Sequence, residues 1–136
     1  MTTRSEFEKL AEFNLADAEL LLERERFTSA YQLAGFAAEC ALKAIVVRQF
    51  KAEKLPNLFL VEKAYTHDLE QLMELAGLED SLSKRKSDKG FARRWAIVKN
   101  WNEEGRYTII SAEEARDYVE ALSGDDGVMA WIRGHW

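Results

Sequence analysis

The stretch SAYQLAGFAAECALKAIVVRQF, residues 29–50, decides the fold. Ala30, Ala34, Ala37, Ala38 and Ala41 let neighbouring backbones approach closely, while Tyr31, Leu42, Ile45 and Val46 supply bulk. This pattern predicts a helix from about Thr28 to Lys51, the longest in the chain. Within it, Glu39 and Lys43 stand four residues apart in the favourable order. Such a pair is worth a few tenths of a kcal/mol when exposed, and matters more where apolar neighbours bury it.

On the N-terminal side, Thr3 and Glu6 have capping-box spacing. From Phe7 onward Leu10, Ala11, Ala18, Leu21 and Leu22 recur at helical spacing, widened by Phe13 and Leu20, and the helix should end around Glu25 to Phe27. Downstream, Pro56 and Asn57 mark a loop, with a short apolar turn at LFLV. A third helix is predicted from Asp68 to about Leu78, its face made by Leu69, Leu72, Met73 and Ala76. A basic connection follows, then a fourth helix with Phe91, Trp95, Val98 and Trp101 inside. Ser111 and Glu114 form a second capping box. Glycines interrupt the last helix at SGDDG, residues 123–127, yet Leu122 and Met129 are one heptad apart, so one long helix with a weak middle is expected. The result is an all-α, mostly antiparallel bundle of about five helices, with residues 1–136 in a single domain.

Composition is consistent with this. One proline and seven glycines in 136 residues favour helices over a turn-rich β fold. No apolar run approaches 18 residues, and MTTRSEFEKL lacks the apolar core of a signal peptide, so a cytoplasmic location without membrane contact is expected. The single cysteine, Cys40, lies in an apolar run and reads as a buried core residue rather than a nucleophile. The net charge of −5 argues against broad adhesion to nucleic acid. Residues 84–94, KRKSDKGFARR, nevertheless hold six basic groups and one acid. That segment is either a solvated connection or a contact for a specific anionic partner.

The order of features resembles the HEPN domain family (higher eukaryotes and prokaryotes nucleotide-binding). AAECALKAIV on one helix is followed by THDLEQL opening the next, then an aromatic helix, RY in a loop, and a final helix beginning SAEEARDY. The resemblance implies an up-and-down helical bundle that commonly dimerises. Many members are metal-independent ribonucleases, often toxins of toxin–antitoxin systems, with an arginine and a histidine four to six residues apart on the last helix. Others lack that pair and bind a nucleotide, RNA or a partner protein, frequently a small nucleotidyltransferase. In this chain the arginine required for His67 would fall at 60, 61 or 62, which are Leu, Val and Glu. For His135 it would fall at 128–130, which are Val, Met and Ala, and Arg133 is too close. Arg116 has no histidine within the seven residues after it. The resemblance therefore implies a non-catalytic, homodimeric binding module, the alternative being a divergent endoribonuclease using His67 with Arg106 or Arg116.

Several residues remain as candidates for contact. Lys84, Arg85, Lys86, Lys89, Arg93 and Arg94 could hold an anionic ligand or partner. His67 has the pKa range of a general base, though Thr66 or His67 can cap the helix while Asp68 complements its dipole. Arg106 and Tyr107 could stack a base and grip a phosphate, or Tyr107 and Trp101 could pin the loop to the core. Trp131 and Trp136 are hard to bury in one bundle and suggest a subunit interface. No metal-spaced cluster, phosphate-cradling loop or cofactor motif is recognisable.

Overall fold

Thr3 opens the first helix with both halves of the capping box: its hydroxyl accepts from the Glu6 amide and its own amide donates to the Glu6 carboxylate. In the computed structural model, which describes residues 2–50 and 54–136, α1 runs Arg4–Glu23 and turns tightly into α2, Phe27–Val46, through Glu25 at φ 59°. A 3-10 turn, Val47–Gln49, extends α2 almost to the expected end. The inner stripe of α1, Ala11, Leu15 and Ala18, packs along α2.

Helix α2 is the centre of the molecule. Ala30, Ala34, Ala37, Ala38, Ala41 and Ala44 are all fully buried, because α1, α4, α7 and α8 lie around it. By length and mean hydropathy Phe27–Gln49 could cross a membrane, although Gln32, Glu39 and Lys43 interrupt its apolar run. Here 67% of its apolar window is buried within the bundle, as a core helix surrounded on several sides requires. Cys40 lies in that core as expected, and burial pushes its thiol up to about 12. Cys40 is therefore expected to resist a thiol reagent at pH 8 in native buffer and to react only on unfolding in denaturant. Rapid labelling of the native protein would contradict this.

The remaining elements are α3 (Leu58–Ala64), α4 (Leu69–Leu75), α5 (Glu79–Arg85), α6 (Lys89–Val98), a 3-10 turn (Glu103–Tyr107), α7 (Ala112–Leu122) and α8 (Val128–Arg133). The described residues thus form eight α-helices and no strand, an all-α fold with more helices than the five expected. The extra helices come from three places. The LFLV turn is a real helix, capped by Asn57. The basic connection is partly helical, since α5 has Glu79 and Asp80 in its first turn and Lys84 and Arg85 in its last, complementing the helix dipole. The expected long final helix is two helices.

That break is set by the two glycines. Gly124 adopts φ 80°, which L side chains rarely adopt, and a Cβ on Gly127 would lie 2.2 Å from the Leu122 carbonyl oxygen. Leu122 and Met129 are both fully buried nonetheless, so the apolar pattern survives a change of helix. Gly77, at φ 74°, likewise stops α4 at Leu75 rather than Leu78. Between the helices, Tyr118 is buried, stacks edge-on against Tyr31, and donates from its hydroxyl to the Val98 carbonyl at 2.9 Å. This bond ties α7 to the end of α6.

Candidate functional site

Helix α2 is apolar on most sides but carries one stripe, Thr28–Gln32–Gly35–Glu39–Lys43, against which the irregular parts of the chain are laid. The segment after α6 runs along it in the opposite direction. Trp101 sits on Gly35, the Gly105 carbonyl accepts from the Gln32 amide, and the Ile110 amide donates to the Thr28 hydroxyl at 3.0 Å. One turn further along α2, Glu39 meets the start of α4.

Among the described residues, Glu39 is the only charged one that is buried, at 2% exposure. Its two oxygens have separate partners. His67 Nδ1 donates to Oε1 at 2.6 Å, since a carboxylate can only accept there, and Lys43 Nζ lies 3.4 Å from Oε2. The i,i+4 pair is therefore buried, as its apolar neighbours suggested. The histidine partner comes from 28 residues away. Nearby, Lys99 at the end of α6 reaches Glu70 on α4 at 3.2 Å. These residues form a polar seam between α2, α4 and α6.

The helix start at residues 66–69 differs from the expectation. Asp68 itself is the N-cap, accepting from the amides of Glu70 and Gln71, and Thr66 accepts from the Asp68 amide. His67 does not cap; it turns inward to Glu39. The Asp68 carboxylate is thus committed to the helix, and it and His67 do not act as a pair.

The structure separates other candidates. Arg116 on α7 lies over the Phe27 ring at 5.1 Å, at the beginning of α2. Phe27 and Glu39 are twelve residues apart on one helix, about 18 Å, so Arg116 and His67 are not brought together. The backbone of Arg106 belongs to the 3-10 turn, and its side chain lies outside the described residues. Tyr107 is 90% exposed and does not pin the loop; Trp101 does.

The basic residues divide as well. Arg85 bonds Asp88 at 3.1 Å and lies over the Phe91 ring. Asp88 also caps α6 through the amides of Gly90 and Phe91. The hydrogen bond from Arg85, helped by those amides, holds the Asp88 carboxyl below its usual range. Arg93 and Arg94 line an open groove of about 240 Å³ together with Asp117 and Glu120 of α7, so acids stand beside them. Lys84, Lys86 and Lys89 are exposed around the α5–α6 turn.

Trp131 and Trp136 have partners within the chain. Trp131 meets Phe91 and His135 edge-on, and the Trp136 indole donates to the Ala41 carbonyl at 3.1 Å. Arg133 makes two hydrogen bonds to Glu12, so the segment after α7 is held against both α1 and α2. Both tryptophans are partly buried, packed against the core of their own chain.

Sequence reasoning missed the Glu39–His67 bond and the Trp101–Gly35 contact. The available signal was a lone acid and a lone glycine, four residues apart, in an otherwise apolar helix. Compared with family models, curated proteins and solved structures, the chain matches none.

Proposed function

We propose that this chain is a HEPN-like module that binds rather than cleaves, holding the phosphates of an RNA or nucleotide on Lys84, Lys86 and Lys89. One observation carries this reading: the three lysines are exposed around a turn whose only acid, Asp88, is already occupied by Arg85 and by capping α6. Their charge is therefore available to an anionic partner. Arg85 is held in place at the same turn by Asp88 and the Phe91 ring. The HEPN-like arrangement is part of the proposal, with α1, α2, α6 and α7 as its long helices. An acidic surface on a partner protein, such as a small nucleotidyltransferase, would engage the same lysines.

A second reading has its own support. A carboxylate on Nδ1 fixes the tautomer and orientation of an imidazole, as a general base requires, and Glu39 does this to His67. That arrangement favours the ribonuclease alternative, whereas the distance to Arg116 counts against it.

One experiment separates these readings. A labelled single-stranded RNA is mixed with the protein in EDTA, and anisotropy and RNA length are followed together. The expected result is binding without cleavage. Substituting Lys84, Lys86 and Lys89 with glutamate should weaken binding and lower the salt slope by about 3. Cleavage that disappears in His67→Ala would replace the proposal with the ribonuclease reading. Absence of binding to RNA and nucleotide would leave the lysines to an acidic protein partner and end the nucleic-acid proposal.

A further inference from the structure

Helices α6 and α7 pack against each other, and the groove between them has walls of opposite charge. On α6, Gly90, Arg93, Arg94 and Ile97 are spaced i, i+3, i+4 and i+7, which puts them on one face. On α7, Asp117, Glu120 and Ala121 share a face in the same way. The floor is apolar: Ala121 is buried, Ile97 is half-buried and Gly90 contributes no side chain. Arg94 is half-buried too, and its guanidinium passes close to Gly90, where a Cβ would stand 3.6 Å from Nη1. Arg93, Asp117 and Glu120 are exposed along the rim.

Two cations thus stand on one wall and two anions on the other, yet the walls do not neutralise each other. Among the described residues, none of these four side chains makes an ion pair or a hydrogen bond within the chain. The charge pattern selects the ligand. A lone carboxylate or phosphate would gain at Arg93 and Arg94 and lose at Asp117 and Glu120, and a lone amine would do the reverse. A molecule carrying both charges gains at both walls. Its carboxylate accepts from the arginine guanidiniums, whose planar fork suits it, and its ammonium donates to the two acids. The groove, about 240 Å³, is smaller than the roughly 300–1,000 Å³ of sites for drug-sized ligands, so the molecule is small. Ile97 and Ala121 give an apolar side chain a surface to lie on.

We propose that the groove between α6 and α7 binds a free amino acid with an apolar side chain, held as its zwitterion between Arg93 and Arg94 on one wall and Asp117 and Glu120 on the other. Three of the four charged groups are exposed, so water and salt screen their contacts and the affinity is modest. The site is independent of what the basic turn holds.

The test is isothermal titration calorimetry of the full chain at low ionic strength with three probes. These are L-leucine, 4-methylpentanoate, which is leucine without its amine, and 3-methylbutylamine, which is leucine without its carboxylate. Leucine is expected to bind with a dissociation constant of about 1 mM or tighter, and each analogue about tenfold more weakly or worse. Neutralising one wall should remove only the advantage of the group that wall holds. Arg93→Gln with Arg94→Gln should leave leucine binding no better than the amine, and Asp117→Asn with Glu120→Gln should leave it no better than the acid. Far-UV circular dichroism serves as the fold control, and these side chains carry no bond that the fold would lose. No binding of leucine at about tenfold that concentration would overturn the proposal. So would 4-methylpentanoate binding as tightly as leucine, which would make the groove an anion site. Leucine binding unchanged in both neutralised variants would place it elsewhere on the molecule and equally overturn the assignment.

Discussion

Glu39→Ala is expected to destabilise the protein by about 3 kcal/mol or more, read as a lower urea midpoint at unchanged slope. The magnitude follows from what is left behind. Glu39 is buried and satisfies His67 with one oxygen and Lys43 with the other. Removing it takes the carboxylate from a histidine that is about a third exposed and from a lysine whose side chain is mostly covered. Breaking one partner of a buried pair costs more than the pair contributes, because the remaining group loses water and gains nothing. Glu39→Gln should cost less, since its amide oxygen still accepts from His67 Nδ1. His67→Ala should fall between the two, as Lys43 then still holds the carboxylate. A Glu39→Ala variant within 1 kcal/mol of the native protein would mean that the seam does not hold α4 against α2.

The second large effect is at Gly35. A Cβ there would stand 2.0 Å from the Trp101 indole nitrogen and 2.1 Å from two of its carbons, where ordinary contact is about 3.5–4 Å. The ring has no small adjustment available, because it is itself buried and held between α2 and the end of α6. Gly35→Ala should therefore cost about 3 kcal/mol despite the roughly 1 kcal/mol by which alanine is the better helix former. In a Trp101→Ala background the obstruction is gone and only the helix preference remains. Gly35→Ala should then stabilise by up to about 1 kcal/mol, a reversal of sign. Equal losses in the two backgrounds would show that the indole is not what requires glycine at this position.

The indole nitrogen of Trp101 has no hydrogen-bond partner among the described residues. Its close packing on Gly35 thus leaves a buried donor unsatisfied. This is consistent with Trp101 pinning the segment that leads to α7, which Tyr107 was equally expected to do.

Much of the fold is local and was legible in the residues. Thr3 and Glu6, and Ser111 and Glu114, mark two helix starts by spacing alone, and the structure makes both sets of bonds. The alanine pattern of residues 30–44 identifies the central helix, because small side chains repeated on several faces have value only where helices approach from several sides. Residues 123–127 show the boundary of such reasoning. The heptad from Leu122 to Met129 spoke for continuity, and it is a true statement about burial. The glycines decide the backbone instead, one by a positive φ and the other by a close carbonyl.

The candidate site was less legible, for a physical reason. Capping and amphipathicity act between residues three or four apart, so their signals lie within a single window of sequence. The partner of Glu39 is 28 residues away and that of Gly35 is 66 residues away, across elements whose spacing depends on how the helices pack. The residues alone determined that this chain is helical, where its main helices begin and which faces they bury. Only the tertiary structure decided that His67 turns inward to a buried carboxylate, that Arg116 stands far from it, and that Arg93 and Arg94 share a groove with Asp117 and Glu120, because each depends on which distant surfaces the packing brings into contact.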